Sequence, residues 1–233
     1  MAKKTRTPTP PRRVQAPQRR AGGEPPSEAD RRRRLLLYGL AGSGILLLAA
    51  VVLGFVLIGG DSGDGGVKAK MAAIGCTLNT YPAQERPHRT TLPKGFKYNS
   101  DPPTSGPHNP QAAIFGAYEE PLDRMQTIHN LEHGGILIQY GSRVPQATRD
   151  ELQEFYNDDP NGLLMGPLPS LGRRIALGAW TSPPAAPEER NIRGEGHLAS
   201  CTRFEGDAYE AFRDAYRAKG PERFPLEALA PGS

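Results

Sequence analysis

The sequence predicts an α/β or α+β domain: a small mixed sheet with packed helices, a long ordered N-terminal loop region, and one transmembrane helix ahead of it all. Three observations lead there. Beyond residue 123, short β-branched runs alternate with amphipathic helical patterns. Between Tyr81 and Pro121 the chain is rich in Pro, Gly, Asn and Thr and keeps no sustained period. Nearer the start, Leu35 to Gly60 is almost wholly apolar and carries no charge.

Residues 1–34 hold eleven Lys or Arg against three acids, a net charge of +8, whereas the remaining residues carry 18 bases against 22 acids, a net −4. The basic character of the chain therefore belongs to its tail. The tail is Pro- and Arg-rich with almost no large apolar residue, a composition that builds no core and predicts a disordered segment. The acidic balance of the rest argues against a nucleic-acid surface on the folded part.

Residues 35–60 are long enough to cross a bilayer core as a helix, which takes about 20 apolar residues. Gly39, Ala41 and Ser43 suit close packing against a partner helix in the membrane, so a membrane-protein partner is an open expectation. Arg31 to Arg34 stand directly before the span, so the positive-inside rule places the tail in the cytoplasm and everything after Gly60 outside. A cleaved signal peptide would carry a shorter apolar core, about 7–15 residues, and a small-x-small site. Residues 61–67 read instead as a Gly-, Ser- and Asp-rich flexible linker. An extracytoplasmic globular domain is expected over 68–233.

Cys76 and Cys201 are the two cysteines of the chain and both follow the span. An oxidising exterior favours a disulfide between them. The rival use is a thiolate as metal ligand. Neither cysteine lies in a Cys-x-x-Cys, and the pair brackets the domain, which favours the bridge.

The elements follow in order. Tyr81 to Pro121 is an ordered loop with short extended pieces, since long loops in compact domains are usually functional. Within it, Asn99 to His108 is dense in turn residues able to hold His108 rigidly. Asp123 to His133 reads as a short helix that Gly134-Gly135 stops. Gly135 to Tyr140 is a buried strand, and Thr148 to Asn157 an amphipathic helix with Leu152, Phe155 and Tyr156 inward. Leu163 to Pro167 and Arg174 to Thr181 are further strands, the second carrying Trp180. Glu205 to Lys219 closes the series as a helix with Tyr209, Phe212 and Tyr216 on one side.

Chemistry concentrates in Met125-Gln-Thr-Ile-His129-Asn-Leu-Glu-His133. Positions i and i+4 share a helix face, so His129 and His133 can aim two imidazoles at one ion, with the Met125 thioether one turn earlier. Of five histidines in the chain, His88, His108, His129 and His133 crowd into the stretch between residues 88 and 133. Imidazole suits zinc, copper, nickel and iron, and a thioether favours copper(I). The expected site takes His129 and His133 from the helix, His108 from the loop, and His88 or Met125 as a further ligand, with copper ahead of zinc. Glu132 is expected off that shared face, as an outer hydrogen-bond acceptor or a salt-bridge partner. The bland reading is that the helix-end histidines only satisfy the dipole, worth about 0.3–1 kcal/mol. That accounts for His133 but not for three more histidines nearby.

The same residues spell His129-x-x-Glu132-His133, the zinc signature of pitrilysin- and insulinase-type peptidases, in which the Glu is the general base. Those enzymes take a Glu roughly 75 residues further on as third ligand, and Glu210 lies at a similar distance. Against this, Gly134-Gly135 ends the helix where the peptidase helix continues. A zinc hydrolase with Glu132 as catalytic residue is therefore the second reading, and a non-catalytic envelope protein or membrane-complex subunit the third.

The wider pattern is Arg86-x-His88, Tyr98-Asn99, Pro102-Pro-Thr-Ser-Gly-Pro-His108, His129-Asn-Leu-Glu-His133-Gly134 and Ala179-Trp180. It resembles, over about Gly75 to Pro225, an uncharacterised bacterial family catalogued as a domain of unknown function, number 3105. The resemblance implies a one-span or exported protein of a bacterial cell membrane and no defined activity. It also implies that His88, His108, His129 and His133 all sit in motif blocks, while His197 and Met125 do not.

Overall fold

The computed structural model describes residues 64–183 and 194–233. The tail, the apolar span and residues 61–63 of the linker expected at 61–67 lie outside the described residues. Among the described residues no helix is long and apolar enough to cross a membrane.

The described residues form a mixed α/β fold: a five-stranded sheet with four helices and two 3₁₀ turns. The strands are β1 (Thr77–Pro82), β2 (Ile136–Tyr140), β3 (Leu163–Pro167), β4 (Ile175–Thr181) and β5 (Glu195–Cys201), in the spatial order β1-β5-β4-β2-β3. The helices are α1 (Asp64–Ala73), α2 (Arg124–Glu132), α3 (Gln146–Asp158) and α4 (Gly206–Tyr216). Three strand pairs are antiparallel, and β2 pairs with β3 in parallel. A parallel pair needs a crossover rather than a tight turn. Here α3 provides it.

Period-two alternation sends the strand side chains into two cores. Ile136, Ile138, Leu163, Met165, Ile175, Leu177, Ala179 and Ala199 face α1, α3 and α4, whose Met71, Leu152, Tyr209 and Phe212 complete the larger core. Leu137, Leu164 and Trp180 face the opposite side, where Ile128 and Leu131 of α2 cover them. The helix carrying the histidines thus stands on its own face of the sheet, apart from the other three.

The sequence reading places α2, β2, α3, β3 and β4 within two residues of their observed ends. Four differences have physical causes. Strand β5, Glu-Gly-His-Leu-Ala-Ser-Cys, lacks β-branched residues and is a strand because it is paired on both sides, by β1 and β4. Strand β1 reaches Tyr81 and Pro82, inside the segment expected as loop, because its whole length pairs antiparallel with β5. Helix α1 begins at Asp64, inside the stretch read as linker, because Val67 and Met71 are buried in the larger core despite two preceding glycines. Helix α4 stops at Tyr216 rather than Lys219: Arg217 turns extended and Ala218 takes a positive φ of 57°. The sulfurs of Cys76, at the start of β1, and Cys201, at the end of β5, stand at disulfide distance across 125 residues.

Candidate metal centre

The helix that carries the site is sharply bounded. The Asp123 carboxylate caps it by accepting from the Met125 and Gln126 N–H groups at 2.8 and 3.0 Å. At the other end Gly134 N–H donates to Leu131 O and Gly135 N–H to Asn130 O, a Schellman closure. Gly134 has φ +92°, and a Cβ there would meet the Ala218 backbone at 2.9 Å, so no larger residue fits.

The long loop is laid along this helix by its own polar groups. Asn130 accepts from the Ala113 N–H and donates to the Ala113 carbonyl, at 3.0 and 2.7 Å. Asn109 N–H donates to the Met125 carbonyl at 3.2 Å. Met125 is half-buried, and this backbone contact ties its turn to the loop. Tyr98 donates its hydroxyl to Pro107 O at 2.7 Å. His88 and His108 form an isolated parallel bridge, with Arg89 N–H donating to His108 O at 2.7 Å and His108 N–H to Pro87 O at 3.3 Å. Both loop histidines are therefore fixed through their backbones.

The four histidines meet. Ring centroids are 4.8 Å apart for His88 and His108, 5.0 Å for His88 and His129, 5.0 Å for His108 and His129, and 4.5 Å for His129 and His133. His108 and Glu132 are closed to solvent, His129 nearly so, His133 is partly covered, and His88 stands exposed at the mouth. Trp180 backs the floor, edge-on to His108 at 6.1 Å.

Glu132 lies inside this cluster, which corrects its expected place off the ligand face. Its Oε2 is 2.9 Å from His108 Nε2 and 3.4 Å from His88 Nε2. The cause is the approach of the loop: residues 129 and 132 are i and i+3 neighbours on one flank of the helix, and His108 and His88 arrive along that flank. The expected salt bridge is also present, since Arg86 Nη1 donates to Glu132 Oε1 at 2.9 Å. Each of His88, His108, His129 and Glu132 offers one ligand atom, all within 4.8 Å of one another. A second group of Glu132, His133 and Glu222 meets the same condition. Glu222 was not singled out in the sequence. It is exposed and 90 residues from Glu132, and only the fold brings it near.

The tautomers are dictated by the backbone. His108 Nδ1 lies 2.8 Å from Gly106 O, and His129 Nδ1 lies 2.7 Å from Asn109 O. A carbonyl only accepts, so both Nδ1 atoms carry the proton, and the two Nε2 atoms face inward. Metal-bound histidines are held in this way, with the outer ring N–H on a carbonyl and the inner nitrogen on the ion. A lone pair on His108 Nε2 against a carboxylate oxygen needs a proton or a cation between them.

Burial holds His129 below its ordinary range, the Asn109 hydrogen bond opposing it. Burial and the neighbouring His129 together push His133 down to about 4. Burial alone would raise Glu132, but the hydrogen bonds and charges of His108 and Arg86 overcome it and bring the carboxyl down to about 2. Near neutral pH the cluster thus presents unprotonated imidazole at His129 and His133 beside an ionised carboxylate. That low pKa makes Glu132 a weak general base. Glu210 is exposed on α4 and stands outside both ligand groups. His197 stacks on Tyr216 at 4.1 Å and meets Thr181 Oγ1 at 2.8 Å, in the packing between the sheet and α4.

Fold and site together define a mixed α/β domain with a buried histidine–glutamate cluster able to hold a metal ion. The family model described as Protein of unknown function (DUF3105) matches residues 90–226, more than half of the chain, and the chain belongs to that family. The match begins later than the resemblance suggested, so Arg86 and His88 fall just ahead of it. No curated protein and no solved structure matches the chain.

Proposed function

We propose that this domain binds a divalent transition metal on the outer side of a bacterial cell membrane, anchored by the apolar span over residues 35–60. The observation that carries the metal reading is the pair of outer Nδ1–H groups tied to Gly106 and Asn109 carbonyls, which sets His108 Nε2 against the Glu132 carboxylate and His129 Nε2 against His133 Nε2. His88 supplies the fourth donor from the solvent side.

Three imidazoles and a carboxylate suit zinc or copper(II). Nothing in this group supplies the sulfur that copper(I) prefers, and Met125 is not needed to complete it. Tetrahedral ligands about 2 Å from an ion lie roughly 3.3 Å apart, and the donor atoms here lie within 4.8 Å of one another, near enough to close on one ion. The engaged state of Glu132 favours its use as a ligand over its use as the base of a hydrolase.

Elemental analysis of the purified full-length chain tests the metal reading: about one zinc or copper per chain is expected, and a metal-free protein that takes up neither ion would reject it. A peptidase assay with and without chelator separates binding from hydrolysis. For the anchor, protease added to intact cells is expected to remove the domain and spare the tail, and a mature chain starting after Gly60 would show cleavage instead.

A further inference from the structure

We propose that the cluster holds two cations side by side, the first between His88, His108, His129 and Glu132, the second between Glu132, His133 and Glu222, with Glu132 shared. This rests on the metal-binding function proposed above.

The backbone of the second position is also fixed by the fold. The segment carrying Glu222 is clamped over the end of α2. Ala218 N–H donates to Gly134 O and Glu222 N–H to Glu132 O, at 2.8 and 2.9 Å. Gly220 lies so close to Glu132 O and Gly134 N that a Cβ would collide with both. A glutamate remote in sequence is thereby set against a helix C-terminus that already carries His133.

Arg86 then orients the two carboxylates. Its Nη1 lies 2.9 Å from Glu132 Oε1 and 3.5 Å from Glu222 Oε1. Each carboxylate is left with Oε2 toward imidazole nitrogen: Glu132 Oε2 toward His108 and His88, Glu222 Oε2 toward His133 Nε2 at 3.6 Å. His129 Nε2 and His133 Nε2 stand 3.0 Å apart, His129 in the first ligand group and His133 in the second. Paired metal sites place their ions about 3.5–4 Å apart and share a ligand between them, and Glu132 belongs to both ligand groups.

The full-length chain, stripped with chelator and titrated with zinc, is expected to take up two ions. Glu222→Ala is expected to bind one, with the stronger affinity unchanged and the weaker lowered more than about 100-fold, beyond the effect of losing an outer partner. Cobalt(II) decides the point without a variant: two equivalents are expected to give spin-coupled ions, with loss of the signal seen at one equivalent. One ion per chain, or two magnetically isolated cobalt ions, overturns the second position and leaves the first standing. No ion at all overturns both.

Discussion

His108 Nε2 and Glu132 Oε2 meet at 2.9 Å on the floor of the cluster, and both side chains are shut off from solvent. One comes from a turn-rich loop and the other from the last turn of a helix. Removing His108 leaves Glu132 with Arg86 and His88, and removing Glu132 leaves His108 with the Gly106 carbonyl, so each keeps part of its hydrogen bonding.

Replacing His129 with Ala removes the nitrogen that the Asn109 carbonyl orients. Zinc affinity is expected to fall more than about 100-fold, since loss of an outer partner alone costs 10–100-fold. His197→Ala, in the packing against α4, is expected to leave it unchanged. Competition titration with a chromophoric chelator measures both.

Acid should destabilise the metal-free domain. His133 is held at about 4 against an ordinary 6.5, so between those values the unfolded chain binds the proton and the folded one does not. The stability from this group is complete above 6.5 and is lost as pH falls toward 4. Glu132, held at about 2 against an ordinary 4.5, acts in the same direction at lower pH, its contribution complete above 4.5 and lost toward 2. The melting temperature is expected to fall steadily below pH 6.5. A flat profile down to pH 4 would count against the buried placement of His133.

Much of the fold was readable because burial imposes a period. Ile136 to Tyr140 and Leu163 to Pro167 are apolar runs of strand length, and the α3 and α4 patterns show one wet face and one dry. Strand β5 was not readable, because its place comes from pairing with β1 and β4 rather than from its residues. The site divides in the same way. His129 and His133 were visible through helical spacing, and His108 and His88 through the scarcity of histidine elsewhere. Glu132 was visible as an outer acceptor and salt-bridge partner, and it makes both contacts; its place among the histidines was not visible, because helix spacing alone does not say from which flank a loop approaches. Glu222 carried no signal, since its neighbourhood is created by Gly220 packing on Gly134.

The Cys76–Cys201 bridge should contribute strongly to stability. Closing a loop of 125 residues stabilises by roughly 4–5 kcal/mol in the chain-entropy model. Mass spectrometry of the non-reduced protein is expected to show no free thiol, and reductant is expected to lower the denaturant midpoint. Two free thiols on exported material would contradict the pairing.

Trp180 is the single tryptophan of the chain and sits 6.1 Å from the His108 ring. Its emission is therefore a local reporter. Copper(II) is expected to quench it in a saturable step, and His108→Ala to abolish the tight phase. Quenching identical in the variant would place the ion elsewhere.

The most direct test is X-ray absorption on the zinc-loaded full-length chain. The account predicts a shell of nitrogen and oxygen alone at about 2.0–2.1 Å with the outer scattering of several imidazoles, and loss of that pattern in His108→Ala. A sulfur shell near 2.3 Å, or a spectrum unchanged in the variant, would contradict it.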